Sequence, residues 1–324
     1  MNTTTKIAVF AAALTATFGS AYGLGNGLDP VSAEPEPAQH AKHGKRSDGG
    51  AEERKESGGG EPVGGLQVTD QGYSFDLRTP RIEAGKRSEL RFTVRDAEGR
   101  AVTAYEKEHD KELHLIVAAR DLGTYRHLHP ERAADGTWST PVELPKGGDY
   151  RIFADFTPSA EGAENVTLGT DLAVSGTYEP ERLPEPSRTA VVDDYRVRLD
   201  GSLKPGSPRE LTLSVSRNGK PVTDLQPYLG AYGHLVALRG GDLAYLHVHP
   251  NGEPGDGETK SGPGISFTTT APSAGSYRLF LDFKHEGKVR TAAFTVRADG
   301  TAAAPHEQPE KQTDTERPEG GHQH

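Results

Sequence analysis

The chain has 324 residues, a third of them hydrophobic, with 39 glycines, 23 prolines and a formal net charge of −10. That length suggests two ordinary domains with unstructured ends, and the glycine and proline content points to short strands and many turns. There is no cysteine and the only methionine is Met1, so disulfides, thiolate sites and thioether ligation of a soft ion are excluded; the acidic balance excludes nucleic acid as partner.

In chain order, residues 1–28 are an expected signal peptide or signal anchor helix. Lys6 precedes an apolar run from Ile7, followed by small residues around Gly19 to Gly23. About 22 uncharged residues are also enough to span a bilayer with Lys6 held inside. Either reading places the rest of the chain outside the cytoplasm, secreted or anchored in the cell envelope. Residues 29–65 are rich in Pro, Gly and charge and read as a disordered linker. A second disordered segment covers 299–324. Its His322 and His324, like His40 and His43 in the linker, are weak metal captors at most.

Between these segments the chain repeats itself. Tyr73 to Thr103 aligns with Tyr195 to Thr223, "PKGGDYRIFADF" with "PSAGSYRLFLDF", and "HLIVAARDLGTYRHLHP" with "HLVALRGGDLAYLHVHP". Both copies keep thirteen residues from His114 to His127 and from His234 to His247. The copies occupy 66–177 and 189–298, joined by a proline-stiffened linker at 178–188. Each contains about seven short runs with period-2 or β-branched character. In the first copy they include "ELRFTVRD", "LHLIVAAR", "YRHLH", "TWSTPVEL", "YRIFADF" and "NVTLGTDLAV", with "DAEG" as turn punctuation. The predicted fold class is all-β: tandem immunoglobulin-like β-sandwiches, arranged as a rod.

Alternation assigns faces. In "YLHVHP" Leu246 and Val248 form the core set, leaving Tyr245, His247 and His249 on the other side. In "YRLFLDF" the core set is Leu279, Leu281 and Phe283, leaving Arg278, Phe280 and Asp282 opposite. The first copy gives Tyr125, His127 and His129 with Arg151, Phe153 and Asp155. His114 and His234 stand at the entry of a neighbouring strand. A His-x-His pair on one strand puts two imidazoles roughly 7 Å apart at Cα, close enough for both to turn onto one ion. The candidate metal ligands are therefore His114, His127 and His129 in one copy and His234, His247 and His249 in the other. Asp155 and Asp282 are fourth ligands or groups that fix an imidazole tautomer. With only N and O donors available, the ion is Cu(II) or Zn(II). The bland reading is that a histidine before proline at a strand end hydrogen-bonds a loop, and that duplication copied the habit. His109 has no counterpart, since Leu229 stands in its place, and His285 is likewise unmatched.

An enzyme is not expected. "GDLAYLHVHPNGE" fits the first half of a cupin signature, but Asp121 replaces its glycine in the first copy, Glu131 is misplaced, and the later histidine is missing. No Ser/His/Asp order or phosphate loop is present.

The stretches "HDKELHLIVAARDLGTYRHLHPE", "GTWSTPVELPKGGDYRIFADFTP" and "YLGAYGHLVALRGGDLAYLHVHP" resemble a group of envelope proteins of high-GC Gram-positive bacteria, labelled secreted, membrane or heavy-metal-binding. The resemblance covers about residues 66 to 297. More distantly the chain is similar to CopC-like copper-resistance domains, although their N-terminal histidine has no equivalent here. The resemblance implies an extracytoplasmic protein that buffers or delivers a divalent metal ion. The alternative is a metal-free structural protein of the cell surface whose partner is another envelope protein.

Overall fold

A computed structural model describes residues 63–298 except His247, and for His249 it describes the backbone alone. The expected signal segment, most of the linker and the C-terminal tail lie outside the described residues, as do the side chains of His247 and His249.

Within the described residues every regular element is a strand. The first repeat forms β1 (Thr69–Asp70), β2 (Tyr73–Leu77), β3 (Arg81–Glu83), β4 (Ser88–Arg95), β5 (His114–Ala119), β6 (Tyr125–Leu128), β7 (Glu131–Arg132), β8 (Thr137–Val142), β9 (Gly148–Phe156) and β10 (Val166–Ser175). The second forms β11 (Thr189–Val192), β12 (Tyr195–Gly201), β13 (Pro208–Arg217), β14 (Lys220–Pro221), β15 (Gly233–Arg239), β16 (Tyr245–Leu246), β17 (His249–Pro250), β18 (Gly264–Thr270), β19 (Ser276–His285) and β20 (Lys288–Arg297). Each repeat is an immunoglobulin-like sandwich of two sheets. The first pairs β1-β2-β4-β8-β7 with β3-β10-β9-β5-β6; the second pairs β11-β12-β13-β18-β17, with β14 on β13, with β16-β15-β19-β20.

The alternating pattern explains the two cores. Phe75, Leu90, Phe92, Leu115, Val117, Trp138, Ile152, Ala154 and Leu168 fill the first sandwich; Tyr195, Val197, Leu213, Leu235, Leu246, Phe267, Leu279, Leu281 and Phe283 fill the second. These are the inward sets of a period-2 reading, and they face the opposite sheet of the same repeat.

The outward sets do not face water. Ile116 and Ala118 of β5, Tyr125 of β6 and Phe153 of β9 form one buried cluster with Val236 and Leu238 of β15, Tyr245 of β16 and Phe280 of β19. Tyr125 stacks on Phe280 with ring centroids 4.0 Å apart and planes within 5°; reciprocally, Phe153 meets Tyr245 at 5.6 Å. The repeats therefore pack sheet to sheet, side by side, and the expected rod is corrected. The reason lies in residue type: each outer face carries aromatic and β-branched groups that lose contact with water only against the other copy.

The connection at 178–188 is held against this joint. Leu183 packs on the interface cluster, and Glu181 donates its backbone N–H to Asp121 and pairs with Lys146. At the other end, the expected linker stops short of Gly65. Gly64 pairs with Tyr245, Gly65 donates to the Thr167 carbonyl, and buried Arg151 donates from Nε to the Gly65 carbonyl at 2.8 Å. Gly65 has φ +74°, and a Cβ there would lie 2.4 Å from the fully buried ring of Phe153. Gly65→Ala is accordingly expected to cost about 2 to 3 kcal/mol from left-handed strain and overpacking. Urea unfolding checks this; a loss under about 1 kcal/mol would mean that the strap yields.

Candidate functional site

The duplicated His-x-His-Pro lies where the chain changes sheet. β6 pairs with β5 as far as Leu128, opposite Leu115, and β7 then pairs with β8 in the other sheet. Pro130, lacking an N–H, stands at the crossing, where no ladder bond is needed from it. The second repeat crosses earlier, since β16 ends at Leu246 and His249–Pro250 already pair with Thr268 and Phe267. The two copies thus begin pairing with the opposite sheet at different positions of the motif.

In the first repeat the crossing brings together one ring nitrogen each from His114, His127 and His129, all within 4.8 Å of one another. His114 enters from β5, one strand inward, directly opposite Asp155 on β9. His114 Nδ1 and His127 Nε2 are 3.1 Å apart. Two nitrogens bound to one ion at about 2.0 to 2.1 Å lie about 3.3 Å apart at the tetrahedral angle, so this pair has the spacing of two ligands.

Hydrogen bonding sets the tautomers. His114 Nε2 faces the Glu108 carbonyl at 3.1 Å; a carbonyl only accepts, so Nε2 carries the proton and Nδ1 the lone pair. His127 Nδ1 faces a carboxylate oxygen of Asp282 at 2.9 Å, and donating there leaves His127 Nε2 with its lone pair. Two lone pairs then point at each other across 3.1 Å. Either a positive ion or an extra proton must sit between them. His129 Nε2 is buried as well and finds no hydrogen-bond partner among the described residues.

Burial favours the neutral form of His114 and of His129. His114 is lowered to about 4, chiefly by burial and then by His127 beside it. Burial likewise lowers His129 to about 2, with His127 and His114 adding to the effect. Neutral imidazole is the form that binds a metal.

The aspartates stand apart from the converging nitrogens. Asp282 lies across the repeat boundary, opposite His234 on β15, and engages the first repeat's His127. The Thr291 hydroxyl donates to its other oxygen. Asp155 accepts from Asn165 Nδ2 at 2.8 Å, from Thr167, and from the Tyr245 hydroxyl of the second repeat at 3.0 Å. Each carboxylate is thereby engaged by the other copy, whereas the sequence reading kept it with its own. Neither pairs with Arg151 or Arg278, which bond Asp171 and Thr295.

His234 mirrors His114: its Nε2 donates to the Tyr228 carbonyl at 2.8 Å, and burial lowers it to about 3. Its ring lies 6.1 Å from that of His114 and 6.0 Å from that of His127. His234 therefore stands at the same interface as the first repeat's cluster. His109, which spacing left aside, reaches within 5.0 Å of the His234 ring from a left-handed turn that Leu229 repeats in the second copy. Its place in an acidic, histidine-bearing loop just before β5 was the available signal. A cavity of about 40 Å³ lies beside the cluster, lined in part by His109, His234, Asp155 and Tyr245. His129 also borders an outer groove with Glu89 and Glu131. His285 is structural: Tyr195 and Asp224 engage its two nitrogens at 2.7 and 3.0 Å.

Comparison with solved structures gives similarity to FdeC, an adhesin of Escherichia coli, at 16% identity over 70% of this chain and 64% of that one, TM-score 0.22. InvD of Yersinia pseudotuberculosis is similar at 16% identity over 74% and 62%, TM-score 0.22. A putative membrane-anchored protein of Corynebacterium diphtheriae is similar at 11% identity over 72% and 60%, TM-score 0.21. The chain thus spans somewhat less than two thirds of each of these chains. No curated protein matches. A family profile does match, over residues 67–170 and 190–300, the two repeats derived above, and the chain belongs to the family described as a domain of unknown function (DUF8832).

Proposed function

We propose that this chain is an extracytoplasmic metal-binding protein that buffers or delivers Cu(II) or Zn(II), without enzymatic chemistry, at the His114–His127–His129 cluster. The observation that carries the reading is the pair of imidazole lone pairs held 3.1 Å apart by a carbonyl on one side and a carboxylate on the other. An all-nitrogen donor set suits Cu(II) first by the Irving–Williams order and Zn(II) next. The groove past Glu89 and Glu131 supplies a route for the ion to reach His129. The apolar N-terminal stretch supports a place outside the cytoplasm.

The test is titration of the full chain with its tail histidines (His40, His43, His306, His322 and His324) replaced by glutamine. Binding at micromolar affinity or tighter is expected, falling at least about 100-fold in His127→Ala/His129→Ala. An ion bound by the native state alone stabilises it by about 2.7 kcal/mol at a hundredfold excess over Kd. A melting temperature unmoved by either metal sinks the reading.

A second reading is a metal-free interaction protein of the cell surface. It is favoured by the same pair of nitrogens: a proton between His114 and His127, balanced by Asp282, makes the cluster a closed joint between the repeats. Metal indifference in the titration selects it.

A further inference from the structure

The His127–Asp282 contact joins residues 155 positions apart, and both side chains are nearly sealed from water, 6% and 4% exposed. His127 belongs to the first repeat and Asp282 to the second. Asp282 is in turn held by Thr291 on β20, so the group that orients a first-repeat imidazole is built wholly from second-repeat strands. On the other side, Tyr245 of the second repeat donates to Asp155, the residue opposite His114. The first repeat supplies the three converging nitrogens; the second decides where one of their lone pairs points.

Resting on the metal-binding reading, we propose that the ion on His114, His127 and His129 is a clasp between the repeats. Asp282 is a positioning residue: with the repeats docked, its carboxylate keeps the proton on His127 Nδ1 and presents Nε2 to the ion. With the repeats apart, nothing holds that tautomer or that ring, and affinity falls. By linkage, an ion that prefers the docked state must also tighten docking.

The experiment uses the full chain with the tail histidines replaced, and Co(II) as probe because its visible absorption reports the ligand field. Asp282→Asn keeps the shape but removes the obligate acceptor, since its amide can donate to Nδ1 and so move the proton to Nε2. Affinity should fall by about 10- to 100-fold, with an altered Co(II) spectrum. Tyr245→Phe is the control. It removes the reciprocal cross-repeat hydrogen bond without altering His114, His127 or His129, and it should leave the Co(II) spectrum unchanged. If Asp282→Asn fails to fold, Thr291→Val, which frees the second oxygen of Asp282, should weaken binding by a smaller factor in the same direction. Hydrogen exchange gives the second readout: Co(II) should slow exchange in β15 and β19 of the second repeat, which supplies none of the three nitrogens.

Asp282→Asn binding as tightly as the parent, or protection confined to β5 and β6, overturns the clasp and leaves the metal site standing. Equal spectral change in Tyr245→Phe also overturns it, because general loosening of the interface then suffices. A parent chain that binds no metal fails the metal-binding reading itself, and the clasp with it.

Discussion

Phe280→Ala should destabilise the folded chain by about 3 to 4 kcal/mol, the usual cost of deleting a fully packed aromatic ring. Phe280 is 4% exposed although it lies on the side of β19 turned away from its own core, because Tyr125 of the other repeat stacks on it at 4.0 Å. The cavity left behind lies between two preformed sheets, which collapse little, so the loss belongs in the upper part of the range. Tyr125→Ala should lose a comparable amount. In the double variant the two losses should fail to add by about 0.5 to 1.5 kcal/mol, the worth of a stacked pair beyond its area. Urea unfolding of the four chains measures the coupling. Strict additivity, or a Phe280→Ala cost under about 1 kcal/mol, would show that the outer faces are not docked as described.

Lowering pH should destabilise the metal-free chain well before its carboxylates titrate. The folded state holds His114 near 4 and His234 near 3, both chiefly through burial, against an ordinary value of 6.5. Between those values the unfolded chain binds protons that the folded chain refuses, so stability rises with pH across the window. The contribution is fully present above about 6.5 and is lost as pH falls toward 4. For His114 alone, a displacement from 6.5 to about 4 corresponds to about 3 kcal/mol at 1.36 kcal/mol per unit. The histidines are near neighbours and titrate together, so the loss belongs to the cluster rather than to one ring. Melting temperatures of the metal-free chain from pH 7.5 to 4.5 measure it; a flat profile down to pH 5 would mean that the rings take up protons without opening the interface. Saturating metal should extend the plateau to lower pH, because a bound ion excludes the protons.

Much of this was legible in the sequence because β-structure writes its faces with period two. "YRIFADF" separates Ile152, Ala154 and Phe156 from Arg151, Phe153 and Asp155, and the structure puts the first set in the sandwich core. The six strand-like runs singled out in the first repeat all coincide with β4, β5, β6, β8, β9 and β10 to within a residue or two. The thirteen-residue interval from His114 to His127 reflects a hairpin, β5 to β6, that brings one nitrogen of each ring to 3.1 Å. What the outer face meets was not legible, because alternation distinguishes core from non-core and is silent on whether water or protein covers the second side. Phe153, Tyr125, Tyr245 and Phe280, aromatic on faces otherwise carrying His, Arg and Asp, were the trace of a covered surface.

The amino-acid sequence alone determined two all-β repeats, the outward side of β6 on which His127 stands, and a donor set free of sulfur. Those properties follow from local geometry and residue type. Only the tertiary structure decided that the two histidine-bearing faces close on each other, and that the second repeat's Asp282 serves the first repeat's His127. Such pairing joins positions 155 residues apart through the burial of two whole sheet faces, and no local period encodes which distant surface a face will choose.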